Sequence, residues 1–384
     1  MRLLFLDLHN NNFLVNTFSQ IKAGIKIKTF KHGFLLDYFI KQGIEVCDLV
    51  TGTDFEKEKE LAEYVFGENK IEPGSIRFLS RFDAVDERDV CIVYFHNFHE
   101  FTFARKLECK KVLMGNHFVR IKSGQFFDLF EEGYNAFVNE TDVSDNPFVK
   151  EYFNTKDVKL VICPYIYTDR FVCRVPFHDR KKKMLAIGTL STVGDDETYS
   201  AYREFYGTHW VQPFGAVLLK SKWRNKYWMD SNVSYIYQGY FKSNIKDPKF
   251  IKYLKTLYNN SHVRQSKYTK FDMVSKFNEY RMFVRPEELA GIPSVNVIEG
   301  MACGCLYFGS NNKMYSPLGL KEGEHYVGYD GSLQDLKRRY KEVKDDEELS
   351  TRIAKQGMEF VRESFNSNRV AAEFLSTLEQ ISRE

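Results

Sequence analysis

The sequence lacks most of the features that commit a chain to an unusual class. Seven cysteines among 384 residues, scattered at 47, 91, 109, 163, 173, 303 and 305, make no disulfide framework. No window approaches the roughly 18 consecutive apolar residues of a spanning helix. There are no internal repeats and no low-complexity tracts. The formal charge of +3, from 55 basic and 52 acidic side chains, is too small for wholesale nucleic-acid binding. At the N-terminus, an apolar run of about eight residues stops at His9-Asn-Asn-Asn, with no small-residue cleavage site after it. A buried strand leading into a polar loop fits better than a secretory leader. These absences leave a soluble protein of a reducing compartment, and its length predicts two domains.

What is present is ordinary in balance, 43% hydrophobic and 28% charged, but rich in Phe (34) and Tyr (23), read here mainly as core material. Short apolar runs alternate with helical patterns: strands at 3–8, 44–47, 89–95, 111–114, 136–138 and 158–163, helices at 34–42, 101–107 and 147–153. The pattern breaks around Pro164 to Asp179 and resumes with a strand at 183–188 that ends in glycine. Further strands are expected at 234–238, 281–284 and 306–308, with helices at 248–258, 271–278, 294–303 and through most of 333–382. Such alternation predicts βαβ units on parallel sheets. The expected division is residues 1–168, 169–365, and a C-terminal helix, 366–384, packing back on the N-terminal domain. Two open parallel sheets place a cleft between them, and ligands of such sheets bind outside the carboxyl ends of the strands.

Charge is uneven. Residues 1–170 carry 22 basic and 26 acidic groups, and segment 217–270 holds 12 basic, 2 acidic and 11 aromatic residues. That segment is read either as solvated lysines over core aromatics or as a surface for an anionic membrane or a phosphorylated acceptor. Base stacking on nucleic acid is the weaker alternative.

The most informative stretch runs from Arg281 to Ser310. A strand ends at Val284, and a loop containing glycine and proline runs to Pro293. Ser294 is placed to cap a short helix that Gly304 ends. Backbone N–H groups near Ser294, Val295 and Asn296 would form an anion site for a phosphate. Glu299, just over one turn in, can accept hydrogen bonds from vicinal hydroxyls such as those of a ribose; capping or pairing with a basic neighbour is its structural alternative. Gly300 keeps its surroundings small. Cys303 and Cys305 read as small buried thiols.

Here Ile298-Glu-Gly-Met-Ala-Cys-Gly-Cys-Leu resembles the donor-binding run of nucleotide-sugar glycosyltransferases of the GT-B type. The resemblance continues through Leu318-Gly-Leu-Lys-Glu-Gly-Glu-His-Tyr-Val-Gly-Tyr-Asp and Ile353-Ala-Lys-Gln-Gly. It implies a GT-B architecture, two Rossmann-like domains facing a cleft, with the donor held by the second domain. Two positions depart from the family pattern. Gly291 stands where a first glutamate is common, leaving Glu287 or Glu288 to replace it. Thr189 stands where an arginine follows the glycine of the second domain's first strand, so Arg281, Arg285 or Lys267 would have to hold the diphosphate. In the first domain, Val112-Leu-Met-Gly-Asn-His-Phe resembles the strand of retaining members that ends in a histidine, which implies that His117 lies near the sugar. His96 and His99 face the same expected edge but have no third partner at metal-ligand spacing, so no metal is expected. The loop before Gly33 would contribute backbone amides.

The expectation is therefore a metal-independent, retaining glycosyltransferase without a resident cofactor. Its co-substrate would be a UDP- or GDP-sugar, and its acceptor a carbohydrate or lipid-linked hydroxyl, as in polysaccharide assembly. It would work in the cytoplasm, docking at the inner membrane face if 217–270 does so. A sugar-nucleotide epimerase on the same fold would need no acceptor. A non-catalytic protein with a decayed cleft would bind polyanions with steep salt dependence and no nucleotide preference.

Overall fold

Apolar runs of four to six residues, too short for buried helices and rich in Val, Ile, Leu and Phe, become the strands of two parallel sheets. The computed structural model describes all residues except 12, 23, 25–31, 73, 82, 84, 96–97, 116–117, 192–196, 208–226, 237–247, 249–271 and 311–312. By contact, the chain divides into two units. The first comprises Met1–Phe118, Phe126–Pro164 and Ser367–Glu384; the second comprises Val119–Gln125 and Tyr165–Asn366.

In the first unit the sheet strands are β1 (Arg2–Leu6), β2 (Glu45–Val50), β3 (Ile76–Ser80), β4 (Val90–Tyr94), β5 (Lys110–Met114), β7 (Ala136–Asn139) and β9 (Lys159–Ile162). A separate short ribbon pairs β6 (Phe127–Asp128) with β8 (Phe153–Asn154). The sheet order is β3-β2-β1-β4-β5-β7-β9, parallel throughout, with its reversal between β1 and β4. Leu3 to Leu6 are wholly buried, as a strand covered on both faces requires.

Helices α1 (Phe18–Lys22), α2 (Gly33–Lys41), α3 (Phe55–Glu68), α4 (Phe98–Ala104) and α5 (Pro147–Tyr152) belong to this unit. The element α3 and the strand β3 have no counterpart among the expected elements. The reason lies in α3's composition, seven charged residues with only Ala62, Val65 and Phe66 buried, a stripe too narrow to stand out in sequence. Its start is nevertheless capped by Asp54, which accepts from the Lys57 amide. The C-terminal helix, Ser367–Arg383, also belongs here, and its Phe374 ring stacks at 6.4 Å on Phe39 of α2.

The second unit has β10 (Lys181–Ser191), β11 (Met229–Ile236), β12 (Tyr280–Val284), β13 (Leu306–Ser310) and β14 (Val327–Tyr329), in the order β11-β10-β12-β13-β14, again all parallel. Strand residues alternate between two cores. Leu185, Ile187, Phe283 and Tyr307 enter one, and Met184, Ala186, Met282, Val284 and Phe308 enter the other. Both faces being apolar explains why these strands read as continuous runs rather than as polar-apolar alternation. Helices α6 (Ser200–Tyr206), α7 (Met273–Glu279), α8 (Val295–Ala302), α9 (Leu333–Lys344) and α10 (Glu347–Ser364) belong to this unit; Ser367–Arg383 is α11. The expected helix at 248–258 and most of the basic-aromatic segment 217–270 lie outside the described residues. No described helix is long and apolar enough to cross a membrane.

Candidate donor site in the second unit

The order of the second sheet reverses between β10 and β12, and the crevice outside the carboxyl ends of strands at such a reversal is where ligands of open parallel sheets bind. Gly188 lies in β10 at this place with φ +125°. A Cβ there would lie 3.4 Å from Arg285 Cγ and Nε, an ordinary contact, so the positive φ and not the space calls for glycine, and the Arg285 side chain packs against this point of the strand. Arg285, directly after β12, is only 8% exposed. Its two terminal nitrogens reach Glu288 Oε1 at 3.4 and 3.2 Å, and its Nε has no partner among the described residues.

Helix α8 starts beside this loop. Ser294 occupies the N-cap position with extended backbone, yet its hydroxyl makes no capping bond, is fully buried, and has no partner among the described residues. No acidic residue stands in the first turn, so the positive end of the helix is not neutralised from within. The opposite end is held from behind. Arg362 donates to the Ala302 carbonyl at 3.1 and 3.0 Å and Arg180 to that of Cys303 at 2.8 Å, cations at the negative end of the dipole. Gly304, at φ +71°, ends the helix where the sequence places its stop, and its amide donates to the Met301 carbonyl.

One turn in, Glu299 is 5% exposed and accepts a 2.5 Å bond from Asn296 Nδ2. Burial pushes its carboxyl up to about 7; the Asn296 bond and the charges of Arg170 and Arg285 pull the other way. The carboxyl thus sits at the border of ionisation, within electrostatic reach of two guanidinium groups. Sequence patterning gives Arg170 no prominence, because it falls in the stretch read as a domain junction. Its guanidinium lies 4.6 Å from the centre of the Phe171 ring.

A second buried carboxylate, Glu287, completes the group. Its Oε1 accepts from the Ser310 amide at 3.0 Å, the Ser310 hydroxyl at 2.5 Å and the Tyr315 hydroxyl at 2.7 Å, while Oε2 has no partner among the described residues. The Tyr315 hydroxyl is also 2.7 Å from that of Tyr307, and burial near Glu287 holds both phenols well above their ordinary range. A carboxylate so anchored on one oxygen presents the other in a fixed direction.

The structure thus brings together Glu299, Asn296, Ser294, Val295, Arg285, Gly291 and both of the expected alternatives Glu287 and Glu288, and adds Arg170, whose charge reaches Glu299. Asn296 contributes its side chain as well as a place in the first turn. Two expected members are not in the group. Arg281 stands at the start of β12, at the other end of the strand. There it binds the carbonyls of Arg180 and His178, pairs with Glu347 at 3.1 Å, and covers the Phe177 ring. Gly300 faces the core: a Cβ would meet the Phe283 ring at 2.5 Å and the Phe277 ring at 2.8 Å, so glycine lets helix and strand approach closely. Cys303 and Cys305 are buried thiols; burial pushes Cys303 up to about 12, and Cys305 donates to the Tyr280 carbonyl.

His117, His96 and Lys267 lie outside the described residues, as does most of the loop before Gly33. Gly33 itself opens α2 in the first unit. His99 belongs to α4 and Thr189 to β10, each described by its backbone alone. Among the described residues no cluster of three His, Cys, Asp or Glu could hold a metal ion.

Solved structures match this architecture over nearly the whole chain. A glycosyltransferase from Rickettsia africae ESF-5 is 10% identical, with 99% of this chain and 98% of that one covered and a TM-score of 0.51. Anabaena HepE, solved with UDP and glucose, is 10% identical over 99% and 100% of the two chains, TM-score 0.50. The chain has the GT-B fold. Sucrose-phosphate synthase from Thermosynechococcus elongatus shares it at 10% identity, 99% of each chain and TM-score 0.50. Residues 243–376, which contain α8 and the loop before it, match a family described as glycosyl transferase-like. No curated protein matches the chain.

Proposed function

We propose that this protein transfers a sugar from a nucleotide-diphosphate donor to a hydroxyl acceptor, with the donor held at the carboxyl edge of the second sheet. The observation that carries the reading is the buried Glu299 carboxylate, hydrogen-bonded by Asn296 and within reach of the charges of Arg170 and Arg285, one turn inside a helix with no side-chain cap and within the segment that matches the glycosyl transferase-like family. Glu299 accepts hydrogen bonds from the ribose hydroxyls. The diphosphate lies against the first turn of α8 and Arg285, where positive charge is fixed before the reaction begins. As the bond between the anomeric carbon and the phosphate oxygen breaks, the departing diphosphate gains charge that these groups stabilise. The acceptor oxygen forms the new bond and passes its proton to the leaving phosphate oxygen.

Attack from the departing side gives retention; that part of the reading rests on the sequence around His117. It calls for no resident cofactor or metal, because Arg285 and the helix supply the positive charge. The donor class, UDP- or GDP-linked, follows the family resemblance, and Anabaena HepE is a neighbour in fold that was solved with UDP and glucose. The acceptor is a carbohydrate or lipid-linked hydroxyl.

The test is a thermal-shift titration of wild type and Glu299→Ala with UDP, GDP and their sugar conjugates. Ligand at 100 times its Kd adds about 2.7 kcal/mol of stability, visible as a raised midpoint. A shift with one nucleotide family that disappears in a folded Glu299→Ala supports the reading. If no nucleotide shifts the wild type, the reading fails in favour of a surface-binding protein, and steeply salt-dependent polyanion binding would then be the property to measure.

A further inference from the structure

The loop between β12 and α8 contains a conformation that its sequence does not favour. Ala290 has φ 57° and ψ 22°, in the left-handed region that residues with a Cβ adopt at a cost, and Gly291 follows at φ 84°. The turn is closed around Ala290 by two backbone bonds, Glu288 amide to Ile292 carbonyl at 2.7 Å and Gly291 amide to Glu288 carbonyl at 3.2 Å. The residues whose placement depends on this turn are Arg285, Glu287 and Glu288 before it and Ser294 after it.

The Ala290 amide donates to the hydroxyl of Tyr202 at 3.4 Å. Tyr202 is wholly buried on α6 and packs on Tyr206 with ring centres 4.7 Å apart. The helix is in turn clasped by Val119–Gln125, a segment from the N-terminal half of the chain that belongs to the second unit. The Ala201 amide donates to the Ile121 carbonyl at 3.2 Å, and the Ser123 amide to the Ser200 hydroxyl at 2.7 Å. Beside them, Ser123 Oγ donates to Glu204 at 2.5 Å, Lys122 pairs with Glu197 at 3.0 Å, and Arg120 Nε donates to the Tyr199 hydroxyl at 2.9 Å.

We propose that Tyr202 is a positioning residue for donor binding: its hydroxyl, on a helix clasped by Val119–Gln125, holds Ala290 left-handed and so sets the loop that carries Arg285, Glu287 and Glu288. The proposal rests on the donor-site reading above and adds a residue distant from it in sequence. It also gives a role to a seven-residue segment that the chain's linear order assigns elsewhere. The side chain acts on the loop through the Ala290 backbone amide.

The test uses the full chain, with Tyr202→Phe, Ala290→Gly and the double variant. Hydrogen exchange across 286–292 is followed without ligand, and UDP-glucose and GDP-mannose binding by calorimetry. Tyr202→Phe should speed loop exchange about three- to tenfold and weaken binding of whichever sugar nucleotide the wild type takes by a similar factor, the size of one lost hydrogen bond. Glycine adopts the left-handed conformation without the tyrosine, so Ala290→Gly in the Tyr202→Phe background should restore affinity to within about twofold of the Ala290→Gly single variant. A Tyr202→Phe protein with a lower melting temperature but unchanged exchange and affinity overturns the proposal, as does a double variant with no rescue. If the wild type binds neither nucleotide, the donor reading is what fails, and unchanged exchange in Tyr202→Phe still overturns the loop-holding role.

Discussion

Glu299 and Asp48 show how burial at single residues becomes a measurable pH dependence. With the Glu299 carboxyl raised to about 7, the ionised form that accepts ribose hydroxyls is the minor species at pH 6 and the major one at pH 8. Affinity for a nucleotide sugar, whose diphosphate does not titrate in this range, should therefore rise close to tenfold from pH 6 to 8. Glu299→Gln should flatten that profile, and calorimetry at the two pH values reads both. Asp48, wholly buried in β2, is pushed by burial up to about 8, although it accepts a 2.9 Å bond from the Leu8 amide. A carboxyl raised in the folded state binds its proton more tightly there than in the unfolded chain. Its contribution is complete below the unfolded value near 4 and is lost as pH rises through about 8. The wild type should lose stability on going from pH 5 to 8, by at most about 1.4 kcal/mol per unit. Asp48→Asn, which keeps an acceptor for Leu8, should have a denaturation midpoint that gains on the wild type across the same interval. Asp48 carries no mark in the sequence and Glu299 does, yet in both only the packing around the carboxyl moves its titration.

At the scale of elements, the informative object is α8 and the strands it covers. Capping residues, a glycine stop and an apolar run make this helix legible in the sequence. What local pattern does not record is which side each residue faces. Gly300 resembles a small residue lining a ligand but lies against the Phe283 and Phe277 rings. Gly300→Ala should cost about 1–3 kcal/mol of stability by overpacking, and thermal denaturation without ligand measures it. Arg281 is four residues from Arg285, about 13 Å along a strand, and so stands at the opposite edge of the sheet. Sequence proximity suggests two members of one clamp, and strand geometry separates them. Arg281→Met should therefore lower stability through its lost carbonyl and Glu347 bonds while leaving nucleotide affinity unchanged, a contrast that Arg285→Met should invert.

For the whole molecule, chain order and unit membership differ in two places. Val119–Gln125 belongs with the second unit and Ser367–Glu384 with the first. The latter presents Val370, Ala371, Phe374, Leu375, Leu378 and Ile381 as buried residues, and burial of a large apolar side chain stabilises by about 1.5–3 kcal/mol. Their sum is comparable with the entire stability of an ordinary domain, about 5–15 kcal/mol. Deleting residues 367–384 should thus unfold the first unit rather than trim it. Limited proteolysis should then cleave within 1–164 at temperatures where the intact chain resists.

The sequence by itself determined the parallel α/β class and most of its elements, because strands buried on both faces and amphipathic helices leave periodic marks that need no partner to be seen. It also determined the helix carrying Glu299, through its apolar run and the glycine that stops it. Tertiary structure alone decided the companions of that residue: Glu287 anchored by Ser310 and Tyr315, Arg285 packed against Gly188, Arg170 from the junction, and Tyr202 beneath Ala290. These pairs lie from 23 residues apart, for Glu287 and Ser310, to 129 apart, for Arg170 and Glu299, and no local pattern records such separations. Periodicity reports what a segment does with its own backbone; the meeting of distant side chains depends on strand order and on which face each element turns inward.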